Sequence, residues 1–532
     1  MKFTARSIPY QQTGYFSRLI SDYLEGNTFL RDFYAFPVSF EGIESAMKAR
    51  AMFETDRPLL VKTLEEQYAG LPVTKAVYKN ITALGEANTF TITTAHQPAI
   101  FTGNLYFIYK ILHVIKIAET LRARYPAKQF VPVYYMGSED ADLDELGHIY
   151  LDNEKLSWDT PQTGAVGRMH TTGLDKIMTR IEGEFAGFPF GPELIQLLKE
   201  VYLQAATIEE ATLKLLHQLF GHYGLVILIA DRPLLKARMA KVFRDDLTNH
   251  LPFEITEKNV NFLAEKYPVQ ARPRQINLFY LKDDLRDRID IKEDHYQLNK
   301  SNIRFTRQEI LQELDDFPER FSPNVILRGL FQETILPNIA FVGGGGETAY
   351  WLELKPLFQH YGVPYPVLIL RNSFLLIKRK WKEKMAKSGL IPETFFQNEE
   401  KLIETLVRHG TTKTLDLKKQ KTELQRVYES LKNISGAVDK TLVPHVEKLQ
   451  TQSLHTLVEL EKKLFRAEKK NHGELRNKIQ EIRKALFPLE GLQERIDNFI
   501  PWYATYGNAF IELIYAHSLS LEQSFTMLEE ES

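Results

Sequence analysis

The chain has 532 residues, with 67 Lys+Arg against 69 Asp+Glu for a formal net charge of -2, and it contains no cysteine. That length exceeds what one hydrophobic core holds and predicts two or three units, while the balanced charge supplies no pull towards nucleic acid or an anionic membrane. Without a thiol, disulfides, thiolate-bound metal and a cysteine nucleophile are excluded, and a reducing cytoplasm is the expected compartment.

The opening residues, MKFTARSIPYQQTGYFSRLI, are interrupted by polar and charged positions, so neither a signal peptide nor a membrane anchor is expected. Residues 1–85 repeat Phe, Tyr and Leu in amphipathic stretches such as YLEGNTFLRDFYAF, with turn signals at Gly26 and Pro37, and predict a helical collar packed on the core. TFTITTAH, residues 89 to 96, is short and β-branched and predicts a strand. A Pro/Gly loop leads from it to a helix near Leu105 to Tyr125, and FVPVYYMGS, Phe130 to Ser138, predicts the next strand. Strand, helix and strand within roughly fifty residues form a βαβ unit, which makes the strands parallel and the crossover right-handed. GLVILIAD, Gly224 to Asp231, predicts a third strand, and PVLILRNS, residues 366 to 373, a fourth, preceded by a helix from Thr348 to His360. The expected fold class is therefore α/β: a Rossmann-like, doubly wound parallel sheet of synthetase-like, nucleotide-binding type over residues 86–375, with helical insertions and an inserted connecting region.

After Arg371 the composition shifts to Lys, Glu, Gln and Leu, and residues 376–495 are expected to form a helical coiled-coil domain. Leu424, Val427, Leu431, Ile434 and Val438, then Leu457, Leu460, Leu464 and Ala467, step by three and four as a heptad seam does. KKNHG, Lys469 to Gly473, breaks the helix, and Leu475, Ile479, Ile482 and Leu486 resume the stepping, which predicts an antiparallel hairpin whose first helix is kinked by Pro444. The seam is longer than the return helix covers, so a homodimer through the coiled coil is expected. Residues 496–532 are expected to return to the core as helices.

Three segments carry chemistry. TTAHQPAIFTGNLYFIYK, Thr93 to Lys110, runs from a strand end into a helix start, where unpaired backbone N–H groups favour a phosphate or carboxylate. Here His96 is a candidate catalytic and nucleotide-binding residue, Gln97 a substrate-binding one, and Gly103 and Asn104 nucleotide-binding ones. MGSEDADLDELGHIYL, Met136 to Leu151, places acids at the carboxyl end of the next strand, where such sheets bind ligands. Asp and Glu also cap helices there. Glu139 and Asp140 are therefore assigned as catalytic and Asp142 as substrate-binding, with His148 a secondary candidate; an amine, a Mg²⁺ ion or a general-base role suits this cluster. NVILRGLFQETILPNIAFVGGGGETAYWLELKP, Asn324 to Pro356, brings four glycines between an apolar run and a helix. Gly343, Gly344, Gly345, Gly346 and Glu347 are candidate nucleotide-binding residues, and Arg328, Gln332, Glu333, Tyr350 and Trp351 candidate substrate-binding ones. The P-loop Lys-Ser/Thr pair and the spaced dinucleotide fingerprint are absent.

These three segments, together with LQERIDNFIPWYATYG, resemble the BshC family, the cysteine-adding enzymes of bacillithiol biosynthesis, and the resemblance runs nearly end to end. It implies an ATP-dependent ligase that adds L-cysteine to the amine of glucosaminyl-malate in the last step of bacillithiol formation, on a synthetase-like core with a coiled-coil appendage. The family's His-Gln-Pro falls on His96, Gln97 and Pro98, its Glu-Asp pair on Glu139 and Asp140, and its Gly-x-Gly-Glu on Gly344, Gly346 and Glu347; the sequence departs from the family pattern at Ala95, Asn104 and Gly345. The implied cofactor is ATP with Mg²⁺, and the implied partners are L-cysteine, glucosaminyl-malate and nucleotide. Amide formation from a free carboxylate needs activation, as acyl-adenylate or acyl-phosphate, and both routes use phosphate-binding amides. Two alternatives use the same loops: a nucleotidyltransferase or ligase acting on another amine, and a coiled-coil interaction protein without chemistry. Acids grouped at strand ends argue against the second, since a scaffold gains nothing from clustered like charges.

Overall fold

A five-stranded parallel sheet forms the centre of the computed structural model, which describes residues 2–410, 416–471 and 473–531. Across the sheet the strands are Val367–Leu370, Asn338–Gly343, Thr89–His96, Gln129–Met136 and Val226–Ile229. Counted along the chain this order is 5-4-1-2-3. The chain direction across the sheet therefore reverses between Thr89–His96 and Asn338–Gly343, and a crevice at the carboxyl ends of those two strands is the place where such sheets take ligands. Thr89–His96 is buried up to its last residue. Three of its four threonines satisfy their hydroxyls on the neighbouring strand: Thr91 and Thr93 donate to the Asn338 side-chain oxygen at 3.1 and 2.8 Å, and Thr94 donates to the Val342 carbonyl at 2.8 Å.

Four strands are expected from the sequence and a fifth is present. Asn338–Gly343 reads in the sequence only as an apolar run before the glycines, because a short buried strand and a helix segment share that pattern. Its discovery puts Gly343 to Gly346 directly beside the end of Thr89–His96. The helix expected from Thr348 to His360 is instead two, Gly345–Leu352 and Lys355–Tyr361, and Pro356 sits in the first turn of the second, where its missing N–H is harmless.

The inserted region carries a second five-stranded sheet, antiparallel throughout, in the order Arg304–Thr306, His295–Leu298, Leu285–Lys292, Leu278–Lys282, Phe321–Pro323. The charged run LRDRIDIK hides its alternation. From the edge strand Phe321–Pro323 the chain enters the helix Val325–Ile335, capped by the Asn324 side chain, which accepts from the Ile326 N–H at 2.9 Å.

The N-terminal segment is not wholly helical. Phe3–Ile8 is a strand that pairs antiparallel with Phe525–Glu530, and Ser373–Ile377 completes a three-stranded sheet. The stretch after residue 496 is correspondingly two helices, Ile500–Tyr506 and Asn508–His517, followed by a strand. Pairing across nearly the whole chain length leaves no local signal to read.

By contact density the chain divides into residues 1–376 with 491–532, and residues 377–490. In the second unit, Lys418–Val438 and Val443–Asn471 lie side by side, with Lys432 facing Glu447 at 3.7 Å, Tyr428 bonded to Ser453 at 2.7 Å, and Lys421 paired with Glu461. The reversal falls at Asp439 to Leu442, earlier than KKNHG. Pro444 is the second residue of the new helix and kinks nothing. Of the expected break at Lys469 to Gly473, His472 lies outside the described residues; Gly473 opens the helix Gly473–Leu486, which buries Ile479, Ile482 and Leu486. No helix among the described residues is long and apolar enough to cross a membrane.

One buried ion pair fastens the N-terminal helix Phe40–Ala51 beneath the sheet. Arg50 donates to Glu333 Oε2 at 2.8 Å and to the carbonyls of Glu333, Asn338 and Pro364, and both side chains are at most 1 % exposed. Arg50→Ala leaves the Glu333 carboxylate buried without its cation and is expected to lower stability by about 3–5 kcal/mol. Urea unfolding of wild type and variant measures it, and a loss under about 1 kcal/mol would show that the site relaxes.

Candidate active site

A cavity of about 610 Å³ opens at the sheet's switch point, walled by the ends of the central strands on one side and by the inserted sheet and the helix Val325–Ile335 on the other. His96, Gln97, Glu139, Asp140, Arg328, Gly346, Glu347 and Tyr350, all named from the sequence, line it. The sequence did not single out Lys110, Glu145, Arg286 or Ser322, which line it too.

His96 ends its strand with Nε2 3.0 Å from the Tyr106 hydroxyl, and its ring stacks on Tyr106 with centroids 5.4 Å apart. The Gln97 N–H donates to His96 Nδ1 at 2.8 Å. Burial lowers the His96 pKa to about 4, and the charge of Lys110 pushes the same way. His96 is therefore neutral at pH 7, a hydrogen-bonding group and not a standing positive charge.

Lys110 lies on the helix Tyr106–Arg124, otherwise apolar on this face, and buries its ammonium in the cavity floor. It donates to the Ala95 carbonyl at 2.5 Å and to Glu347 Oε2 at 2.7 Å. Burial lowers its pKa, opposed by Glu347; for Glu347, burial is outweighed by Lys110 and by the Gly344 N–H, and its pKa falls. The Gly344 N–H donates to the same Glu347 oxygen at 2.9 Å. The helix entry at the glycines thus already holds a carboxylate of its own chain, in the position where the sequence places a phosphate.

Glu139 pairs with the fully buried Lys236, which also meets Asp231 at 2.9 Å and the Glu319 carbonyl at 2.8 Å. Burial raises the Glu139 pKa, with Lys236 opposing; at Asp231 burial is overcome by Lys236 and Arg168, and its pKa is held below the usual carboxylate range. Asp140 accepts from the Gln97 amide at 2.9 Å and the Ala141 N–H at 2.8 Å, and stands 3.6 Å from Arg286, whose guanidinium lies over the Phe279 ring.

Two charges remain. Arg328 donates to the Tyr350 hydroxyl, and no carboxylate lies within 4.0 Å of it among the described residues. Glu145, on the cavity wall, has no basic partner within that distance among the described residues; burial raises its pKa, reinforced by Asp142 and Asp140.

Other sequence-predicted residues fall outside the cavity. Asp142 is exposed and caps the helix Leu143–Leu146 by accepting from the Glu145 N–H at 3.1 Å. His148 bonds the Asp144 carbonyl. Glu333 points away from the cavity, accepting from Gln332 and Asn338 and holding Arg50, while Gln332, buried and outside the cavity lining, accepts from Arg328 at 3.5 Å through its side-chain oxygen. A spacing of four and five residues spreads over more than one helical face, so the grouping of Arg328 with Glu333 was geometrically loose. Trp351 is wholly buried against Phe341, Phe358 and Tyr365 and belongs to the core. Gly103, at φ +61, and Asn104 form the turn before the helix Tyr106–Arg124, where Asn498 donates to the Gly103 and Phe101 carbonyls. Gly343, Gly344 and Gly345 pack against Phe341, Arg371 and Ile20 respectively, and Gly346 alone of the four borders the cavity. Lys110 had a signal, a lone lysine within FIYKILHVI. Arg286 and Ser322 had none, because the inserted sheet that carries them was itself not legible.

No group of three or more His, Asp or Glu arranged for a metal ion occurs among the described residues. Mg²⁺ in nucleotide sites is usually held by one or two carboxylates plus the phosphates, so Asp140 and Glu145 are the chain's donors nearest that requirement.

A Rossmann-like sheet whose switch-point crevice gathers paired acids, a buried lysine and a neutral histidine defines an enzyme. Residues 1–372 match "Bacillithiol biosynthesis BshC, N-terminal Rossmann-like domain" and residues 374–530 match "Bacillithiol biosynthesis BshC, C-terminal coiled-coil domain", and the chain belongs to the BshC family. Relatives named "Putative cysteine ligase BshC" are 38% identical over 526 residues in Flavobacterium psychrophilum, spanning 98% of this chain and 99% of the relative, and 36% identical over 523 residues in Flavobacterium johnsoniae, spanning 98% and 99%. A third, from Christiangramia forsetii, is 37% identical over 530 residues, 98% of each chain. The enzyme class is accordingly ligase.

The buried histidines make an acid-sensitive core. His96 and His113 both have pKa values lowered by burial to about 4, so between that pH and about 6.5 the unfolded chain binds more protons than the folded one. Their contribution to stability is fully present above about pH 6.5 and is lost as the pH falls towards 4. The melting temperature is expected to drop through this window with a shallower slope in His96→Asn; an unchanged slope would mean that His96 is not held neutral.

Proposed function

We propose that the cavity joins L-cysteine to the amine of glucosaminyl-malate with consumption of ATP, in the cytoplasm, as the last step of bacillithiol formation. Family membership supports the ligase chemistry. The observation that carries the assignment to this cavity is its charge balance: once Glu139 with Lys236, Asp140 with Arg286 and Glu347 with Lys110 are set aside, one cation and one acid remain. Both proposed substrates carry an amine and a carboxylate, the complement of that remainder.

ATP, when bound, makes the cysteine carboxylate electrophilic. His96, as a neutral donor or acceptor, and the amide of Gly346 border the place for its phosphates, and Arg328 supplies a cation without an acid of its own. The acceptor amine must lose a proton as its nitrogen bonds the acyl carbon and the bond from that carbon to the activating phosphate or adenylate oxygen breaks, so that this group leaves. Glu139 is locked to Lys236, so Asp140, held by Gln97 but reachable from the cavity, takes the amine. A chain without cysteine forms no mixed disulfide with a thiol substrate or product.

Asp140→Asn keeps shape and removes charge, and is expected to lower kcat by about 10²-fold or more. Mass spectrometry of the purified protein with ATP, Mg²⁺, cysteine and glucosaminyl-malate follows the amide product and the adenine product together; unchanged turnover in Asp140→Asn returns that residue to a structural role, and absence of product in wild type removes the substrate assignment.

We also propose an antiparallel coiled-coil hairpin that pairs two copies of the chain. Val427, Ile434 and Val438 are 55, 60 and 78 % exposed, and their burial at about 25 cal/mol per Å² favours a second apolar seam. Light scattering is expected to give a dimer mass at micromolar concentration and a monomer for Ile434→Glu with Val438→Glu; a monomeric wild type sinks the pairing.

A further inference from the structure

The inserted sheet and the helix that follows it bring three donors to the cavity lining. Ser322 is fully buried on the edge strand Phe321–Pro323, borders the cavity, and its Oγ finds no hydrogen-bond partner. Arg286 borders it from the strand Leu285–Lys292, and its Nε is buried and equally without partner. Arg328 borders it one turn into the helix Val325–Ile335, and Asn324 and Val325 bring that helix's first residues to the same wall.

A buried polar group with no partner normally costs about 1–3 kcal/mol, so native proteins leave one where a ligand or an ion completes it. Here an unpaired hydroxyl and an unpaired guanidinium N–H line the same cavity as a guanidinium with no carboxylate within 4.0 Å among the described residues. The positive end of an 11-residue helix adds to the same potential. Every one of these groups donates. The opposite wall, with Glu139, Asp140 and Glu145, offers acceptors. The cavity is therefore polarised, and the two walls ask for opposite ends of one ligand.

We propose that Arg328, Arg286 and Ser322, at the start of the helix Val325–Ile335, form an oxyanion-binding subsite of the cavity, taking a substrate carboxylate or a nucleotide phosphate. The subsite rests on the reading of this cavity as the substrate site. Arg328 gives the fork that a carboxylate or phosphate accepts in two parallel hydrogen bonds, and Ser322 adds one neutral donor. Arg286, already shared with Asp140, links the anion subsite to the acid that meets the amine, so that an anion bound at Arg328 leaves Asp140 less screened and better able to hold an ammonium.

Calorimetry on the full chain with inorganic phosphate and with L-malate, without the second substrate or Mg²⁺, tests the subsite apart from turnover. Wild type is expected to bind at least one probe at millimolar concentration. Arg328→Gln is expected to weaken it by about tenfold or more, as for a lost charge-assisted bond, and Ser322→Ala by about threefold. Should Arg328→Gln fail to fold, judged by its melting curve, Arg328→Lys carries the comparison: it keeps the charge, cannot present the fork, and is expected to weaken binding by about threefold or more. Phosphate alone assigns the subsite to the nucleotide, malate alone to the acceptor, and both to a general oxyanion site. No binding of either probe, or unchanged affinity in the Arg328 variant, overturns it. Because no amide is made, anion binding that disappears with Arg328 stands even if the cysteine reaction fails, and ligation that survives in Arg328→Gln with an unchanged KM removes the subsite while leaving the ligase.

Discussion

Lys110 carries its ammonium into the floor of the crevice and joins there the two strands between which the sheet order reverses. It bonds the Ala95 carbonyl, one residue before His96, and the carboxylate of Glu347, which in turn caps Gly344 just after the neighbouring strand. At a switch point the adjacent strands share hydrogen bonds but their connections lead apart, so nothing in the topology fixes how closely the two following loops approach. A buried cation holding one loop through a backbone oxygen and the other through a capping carboxylate does fix it. Removing the ammonium would leave the partly exposed Glu347 carboxylate without its cation and the Ala95 carbonyl without its donor, and so release both loops. Its charge also helps to keep His96 neutral. The approach of the His96 loop to the glycine turn thus follows from one side chain, which also adds to the burial that keeps His96 neutral.

The same device recurs around the cavity with different partners. Lys236, from the inserted region, fixes Glu139 and Asp231, the residues just past two adjacent strands, while Arg286, from the inserted sheet, stands against Asp140. Each acid contributed by the Rossmann-like sheet is met by a cation contributed by another element. That arrangement aligns the insertion with the strand ends through charge, and it leaves Arg328 and Glu145 as the only lining charges without an opposite partner within 4.0 Å among the described residues.

How much of this was readable from the sequence depended on whether the signal was local. Thr89–His96, a run of β-branched residues, and the helix after it were legible almost to the residue, as were the acids at the end of Gln129–Met136, because strand ends in parallel sheets collect polar residues for one physical reason. Asn338–Gly343 was not, since its unbroken apolar run after Asn338 carries no period, and without it the glycines lacked their place in the sheet. Asp142 is a site residue by composition, whereas geometry makes it a cap, because acids favour a helix start as well as a ligand-binding strand end. Trp351 and Tyr350 adjoin in sequence and face different ways, one into the core and one to the cavity, because consecutive helix positions lie about 100° apart around the axis. The antiparallel insertion was hidden by its charges, and with it Arg286 and Ser322.

Hidden charges of that kind have a reason. A sheet that presents one face to a polar cavity cannot show the clean alternation of a sheet packed on a core, because its inward positions must carry donors. Phe279 illustrates the compromise: it borders the cavity as an apolar residue, yet what it offers is a ring face under the Arg286 guanidinium at 3.9 Å. A cation held over a ring keeps its charge while losing some of its water. Arg286 can then stay near Asp140 without being neutralised by a bidentate pair, which would have closed both groups to a ligand. The irregular pattern that defeats sequence reading is, at this wall, the pattern that keeps donors available.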